Sequence, residues 1–304
     1  MFMSRTLRWT IALIIFALLL LAVERYLGWR SILAQWKVID PLMFTGLTLL
    51  TLLSYLLRAE RVYRYFGQRL GHPRRAYLRI SFIHNALNNF LPMRLGEAAF
   101  PLLMRRQFQQ SMLNSTAGLV WIRLMDLHVL LLLAAIALGS LLPVLGYLAL
   151  AGLIIGPLLI ALLRRQIQQL LPQKLVIKAN ELTHLLPHSR ALIVSTYLQT
   201  LLIWLVKLFA LVVVLRAFLP IDFVSAWVAV TTADLSGVLP IHGLAGSGTY
   251  EAAMLAALLP LGFDAQSALA AAINLHIYLL GVSALSVPLA LLVPSSPRSI
   301  QGEP

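Results

Sequence analysis

The sequence predicts an all-α polytopic membrane protein, with about six full transmembrane helices and two oppositely oriented re-entrant helical hairpins in an inverted-repeat-like arrangement. Three observations carry this expectation. The 304-residue chain is 60% hydrophobic and only 12% charged, against about 45–50% apolar and about 25% charged residues in an average soluble domain. Its apolar runs have the length of a bilayer crossing, about 17–25 residues. Two further runs are interrupted by one shared pattern: Leu-Pro, a glycine-containing break, then a glutamate opening an Ala-rich segment. The polar stretches have the size of loops and tails, so residues 1–304 read as a single transmembrane domain.

The first run extends from Trp9 to Val23, with Arg5 and Arg8 ahead of it. In outline it has the form of a signal peptide. However, Glu24-Arg25 follows directly without a small-residue cleavage pattern, so a retained span is expected. Uninterrupted spans follow at Ile39–Leu57, Ser115–Leu138, Pro143–Leu163, Ala191–Leu215 and Gln266–Val293. The interrupted runs are Tyr77–Met104 and Ile221–Leu259. Each reads either as two spans or as one re-entrant hairpin.

A net charge of +13 in a soluble chain would point to nucleic acid. Here the basic residues fall between apolar runs, as the positive-inside rule requires, and no nucleic-acid partner is expected. Arg58, Arg61, Arg64, Arg69, Arg74, Arg75 and Arg79 read as one basic loop, and Arg105-Arg106 follow the first interrupted run. Arg164, Arg165, Lys174, Lys178 and Arg190 crowd another loop, whereas Gly139–Leu142 carries no charge and the Asp264 loop no positive charge. All basic clusters share one side if the first hairpin enters and leaves from the cytoplasm. The second must then enter from the opposite face, which is the pattern of an inverted repeat, with both termini cytoplasmic.

Residues 164–190 form the longest polar insertion. Leu175, Ala179, Leu182 and Leu186 share one helical face, which fits an interfacial amphipathic helix and equally a plain solvated one. His184 and His188 have a helical metal-ligand spacing, but Pro187 lies between them without an acidic partner, so no metal site is expected. Residues 294–304 read as a flexible tail. The absence of cysteine excludes disulfides and thiolate metal sites.

Ionisable residues inside a bilayer cost about 2.5–3.5 kcal/mol or more each and are functional candidates. The acids at membrane depth are Glu97, Asp126, Asp234 and Glu251, and the bases are Arg94, Arg123 and Lys207. Glu97 and Glu251 fall in the first turn of a new helix, where a carboxylate can cap free N–H groups. Ser, Thr or Asn would cap at lower desolvation cost, so glutamate after both breaks points to a further role: attracting a cationic headgroup, binding a proton or coupling ion, or holding an arginine. Arg94 can pair with Glu97 or clamp a phosphate, or else snorkel to the interface. Arg123 and Asp126 are three apart on one face, either a self-satisfied pair or a cavity-facing arginine with its orienting acid. Pro92 and Pro240 end the incoming helices, and Gly96, Gly243, Gly246 and Gly248 permit the reversal. His84, His128 and His276 read as packing residues; His242 lies inside the second break. The sequence has no P-loop, metalloprotease or nucleophile-elbow motif, and no cofactor is expected.

As an ordered set these motifs resemble a known family. Leu91-Pro92-x-Arg94-x-Gly96-Glu97, then Arg105-Arg106 and Arg123-x-x-Asp126, resemble the first half of the lysylphosphatidylglycerol synthetase transmembrane region, or flippase-like, family. Leu239-Pro240 with Gly246-x-Gly248-x-x-Glu251, followed by the Gly262 helix, resembles its second half. The resemblance covers nearly the whole chain. It implies an inner-membrane, bacterial-type lipid flippase, not an enzyme, and a stand-alone member lacking the fused aminoacyltransferase domain. The implied cargo is an aminoacyl-phospholipid or a polyprenyl-phosphate-linked species. The implied partners are membrane lipids and an envelope lipid- or glycan-synthesis enzyme. The rival functions are an intramembrane headgroup transferase, with Glu97 or Glu251 as general base, and a non-transporting accessory subunit.

Overall fold

The computed structural model describes residues 5–67, 72–91, 95–163, 166, 169, 172–173, 189–237 and 244–294. Those residues build an all-helical bundle. Its elements are α1 (Arg5–Tyr26), α2 (Trp29–Ala34), α3 (Pro41–Val62, ending in a π-helical turn Tyr63–Gly67), α4 (Arg74–Phe90), α5 (Leu95–Phe108) and α6 (Met112–Leu141). There follow α7 (Pro143–Leu162), α8 (Arg190–Phe218), α9 (Phe223–Ser236), α10 (Thr249–Leu258) and α11 (Ala265–Leu292). The amphipathic stretch with His184 and His188 lies outside the described residues, as does the tail from 295 onward.

Among the described residues four helices are long and apolar enough to cross a membrane: Pro41–Gly67, Met112–Leu141, Arg190–Phe218 and Ala265–Leu292. Polar residues start them where the chain leaves its loops. The side chains of Asp40, Ser111, Ser189 and Asp264 each accept a hydrogen bond from the backbone N–H three residues on, which satisfies one orphan donor of the first turn. α1 and α7 occupy the other two predicted span positions. The interrupted runs resolve into helix pairs, and these helices are short. The 17 residues of α4 reach about 25 Å, the 14 of α5 and of α9 about 21 Å, and the 10 of α10 about 15 Å. A hydrocarbon core is about 30 Å thick.

Packing is reciprocal. α4 pairs with α5, and α9 with α10; each second arm also packs on the long helix that follows it, α5 on α6 and α10 on α11. Each first arm packs on the other pair's long helix, α4 on α11 and α9 on α6, while α3 and α8 pack together. The two helix pairs thus make matching sets of contacts. One apolar cluster centres on α8 to α11, and a second joins the end of α3 to α4, α5 and α6. The fully buried Ala268, Ala271 and Ala272 let neighbouring helices approach α11 closely. Tyr55 to Ser283, Thr51 to Tyr278, Asn85 to Ser286 and Asn89 to Ser283 then tie α3 and α4 to it.

Among its described residues α7 buries only Gly146 and turns Val144, Tyr147, Leu148 and Ile154 outward, as a lipid-facing helix does. It meets α6 through glycine. A Cβ on Gly146 would stand 2.2 Å from the Gly139 nitrogen, so only glycine allows that crossing.

Candidate functional site

Asp126 on α6 organises the first group of charged residues. Both terminal nitrogens of Arg61 donate to it, at 2.7 and 3.2 Å, and Trp204 Nε1 donates at 2.9 Å. Arg123, one helical turn back, donates at 3.1 Å. Four donors fill the acceptor capacity of a carboxylate, so Asp126 is an anchor for its arginines. Arg61 Nη1 also donates to Thr200 Oγ1 at 2.7 Å. The basic-loop reading of Arg58 and Arg61 is therefore corrected. Both lie within α3, and Arg61 is only 2% exposed because Asp126 neutralises it inside the bundle.

Arg123 extends the group to α5. Its Nη2 lies 2.6 Å from Glu97 Oε1, in the first turn of that helix. His84 Nε2 on α4 stands 3.8 Å from the other carboxylate oxygen, with its ring against Phe100. Gly96 explains how these arms come so close. A Cβ there would lie 2.4 Å from the Asn88 backbone, so α5 can begin against α4 only with glycine at this position.

The second group lies around α10. Glu251 Oε2 accepts the Gly248 N–H at 2.8 Å, and Oε1 lies 2.6 Å from His276 Nδ1 on α11. Glu251 thus caps its helix and also holds a basic side chain, joining two roles that the sequence leaves as alternatives. Gly246 and Gly248 have φ of 76° and 86°, left-handed conformations that glycine adopts without steric cost. Ala245 between Leu244 and Gly246 is also left-handed, at φ 53°. Lys207 on α8 pairs with Asp234 on α9 at 2.8 Å.

The two groups correspond. A glutamate in the first turn of each second arm is held by a basic residue on the following long helix: Arg123 for Glu97, His276 for Glu251. Two polar cavities adjoin them. One of about 90 Å³ is bounded by Asn89, Lys207, Asp234, Gly246, Tyr250 and His276, among others. One of about 40 Å³ has Arg58, Arg61, Ser81, His84, Asn85 and Arg123 in its wall. Asn88 lines both.

Of the residues singled out from sequence, Glu97, Arg123 and Asp126 form one connected group, and Glu251 belongs to the other. Pro92, Arg94, Pro240 and His242 lie outside the described residues. Sequence reasoning misses Arg58, Arg61, Trp204 and the polar face of α4. A signal for that face exists: Ser81, His84, Asn85 and Asn88 recur at i, i+3, i+4 and i+7, a polar stripe within an apolar run. His276 reads as packing from sequence, and its bond to Glu251 shows a further role. His128 bonds Tyr197 and the Leu153 carbonyl, as a packing histidine does. Among the described residues no three His, Asp or Glu side chains are grouped to hold a metal.

A comparison with curated proteins finds no match. The model of one family, described as lysylphosphatidylglycerol synthase TM region, matches residues 9–286. The matched stretch includes both helix pairs, both charged groups and both cavities. With four helices suited to crossing a bilayer and this match over most of its length, the chain is a multi-pass membrane protein that belongs to the lysylphosphatidylglycerol synthase TM region family.

Proposed function

We propose that this protein is a lipid translocase of a bacterial inner membrane, which passes a polar headgroup between leaflets while the lipid tails stay in the bilayer. One observation carries the reading. Two polar cavities walled by charged side chains share Asn88: the larger lies where the two short helix pairs come together, and the smaller lies beside the first pair, against α3 and α6. Charged cavities are expensive at membrane depth and mark substrate pathways. The short arms and reciprocal packing support six spans plus two re-entrant pairs of opposite orientation, the architecture in which alternate rocking exposes one site to either side. Both termini then face the cytoplasm. An apolar groove of about 300 Å³, bounded by Phe16, Leu19, Leu20 and Leu255, reaches Gly248 and Glu251 and suits an acyl tail beside the polar site. The cargo class is an aminoacyl-phospholipid or polyprenyl-phosphate-linked lipid, and an envelope lipid- or glycan-synthesis enzyme is the fitting partner.

A fluorescent-lipid flip assay in proteoliposomes tests this. Wild type is compared with Glu97→Gln and Glu251→Gln across anionic, aminoacylated and polyprenyl-phosphate lipids. The amide oxygen introduced by Glu251→Gln can still accept the Gly248 N–H, so that variant should stay folded while losing its charge toward His276. Movement by wild type that falls at least roughly tenfold in both variants is expected if each removes about 1.4 kcal/mol or more from the transport step. Folded wild type that moves none of these lipids would sink the translocase reading. The enzyme reading is weaker, because both candidate bases are already held, Glu97 by Arg123 and Glu251 by Gly248 and His276.

A further inference from the structure

Among the described residues Arg58 is the one arginine of the smaller cavity that makes no salt bridge. Arg61 and Arg123 share Asp126, and Arg123 also takes Glu97. Three guanidinium groups against two carboxylates leave one positive charge in the wall. Nε and Nη2 of Arg58 are buried without a hydrogen-bond partner, and so are Arg61 Nε, Arg123 Nε, Ser81 Oγ and His84 Nε2. All five residues line this cavity. The guanidinium of Arg58 lies over Trp204, 5.0 Å from the ring centre. Such a contact offsets only part of what it costs to remove an ion from water. The balance of charge and donors in this wall suits an anion.

From this we infer that the cavity between α3, α4, α5 and α6 is a binding site for one phosphate group, with Arg58 as its principal cation. The inference rests on the translocase reading only for the claim that the phosphate is borne by a lipid. Its volume of about 40 Å³ holds roughly three water-sized positions, enough for a small tetrahedral oxyanion. Tetrahedral phosphate can accept from donors on several helices at once, and the unpartnered Nε–H groups of three arginines and the Ser81 hydroxyl come from α3, α6 and α4. Guanidinium is the side chain best matched to it. Asp126 and Glu97 are positioning residues, because they hold Arg61 and Arg123 by the terminal nitrogens and leave the Nε–H groups unspent. Asn88 then connects the phosphate site to the larger cavity, where the rest of the headgroup has room.

The test is equilibrium binding to the purified full chain in detergent, read by native mass spectrometry. The probes are short-chain phosphatidic acid, the matching diacylglycerol and inorganic phosphate. Phosphatidic acid should bind wild type and diacylglycerol should not. Arg58→Gln should weaken binding roughly ten- to hundredfold, as loss of a charge-assisted contact does. Arg58→Lys should recover part of that loss, since the charge returns without the planar fork. Ser81→Ala should weaken binding severalfold, and it decides the matter if Arg58→Gln fails to fold. Arg75→Gln, in an exposed position away from the cavity, should bind like wild type. Competition by inorganic phosphate would assign the site to phosphate from either source, and its failure to compete would assign it to lipid-borne phosphate. Equal binding of the two lipids, or wild-type binding by both Arg58→Gln and Ser81→Ala, would overturn the inference. Binding without lipid movement in vesicles would remove the translocase and keep the site. Movement indifferent to headgroup phosphate and to Arg58 would do the reverse.

Discussion

Asp126 receives four hydrogen bonds from three helices, so its removal strands Arg61 inside the bundle. Breaking a buried pair by removing one partner costs about 3–5 kcal/mol. Asp126→Ala should lower the thermal midpoint in detergent sharply, and a midpoint indistinguishable from wild type would refute the anchor role. Arg123→Gln should be milder, since that side chain is 28% exposed and Asp126 keeps its other donors. These partnerships explain the limits of the sequence reading. Glu97, Asp126 and Glu251 are legible because a carboxylate stands out in an apolar run. Arg123, three residues before Asp126, is legible as its partner as well, but Arg61 and Trp204 are not, because they lie 65 and 78 positions from Asp126 in the chain. Arg58 and Arg61 look like the start of a basic loop, since hydropathy cannot distinguish a charge beyond a helix end from one turned inward within it.

At the scale of elements, each helix pair depends on a few glycines. Gly96→Ala places a Cβ at 2.4 Å from the Asn88 backbone, and such overpacking costs about 1–3 kcal/mol. It should reduce both stability and lipid movement. Gly281→Ala, where nothing lies within 4 Å, is the matched control and should leave both unchanged. Gly248→Ala forces a side chain into φ 86°, at a cost of about 1–2 kcal/mol, and should loosen the start of α10. The breaks themselves are legible, because Leu-Pro followed by glycine and glutamate leaves few conformations open. Their helix boundaries lie close to expectation for the same reason. The length of α3 does not, since its π-helical turn continues the helix through Tyr63–Gly67 and into residues that read as loop.

At the scale of the whole molecule, the absence of cysteine makes topology directly measurable. Single cysteines at Arg75, Leu95 and Gln266, all exposed positions, can be labelled with a membrane-impermeant maleimide. In the proposed topology Arg75→Cys should label only from the cytoplasm and Gln266→Cys only from the other side. Leu95→Cys, at the turn of the first helix pair, should resist labelling from both. If it labels from the side that reaches Gln266→Cys, α4 and α5 are two complete spans instead. Four long helices are readable from length and composition alone, whereas the reciprocal packing is not, because it depends on contacts between distant segments. One of those contacts has a mechanical consequence. Asn88 stands in the wall of both cavities, and its backbone touches the start of α5 at Gly96. The seating of the second arm and the shape of both chambers are thus set by one close contact, where glycine leaves no slack between α5 and the wall they share.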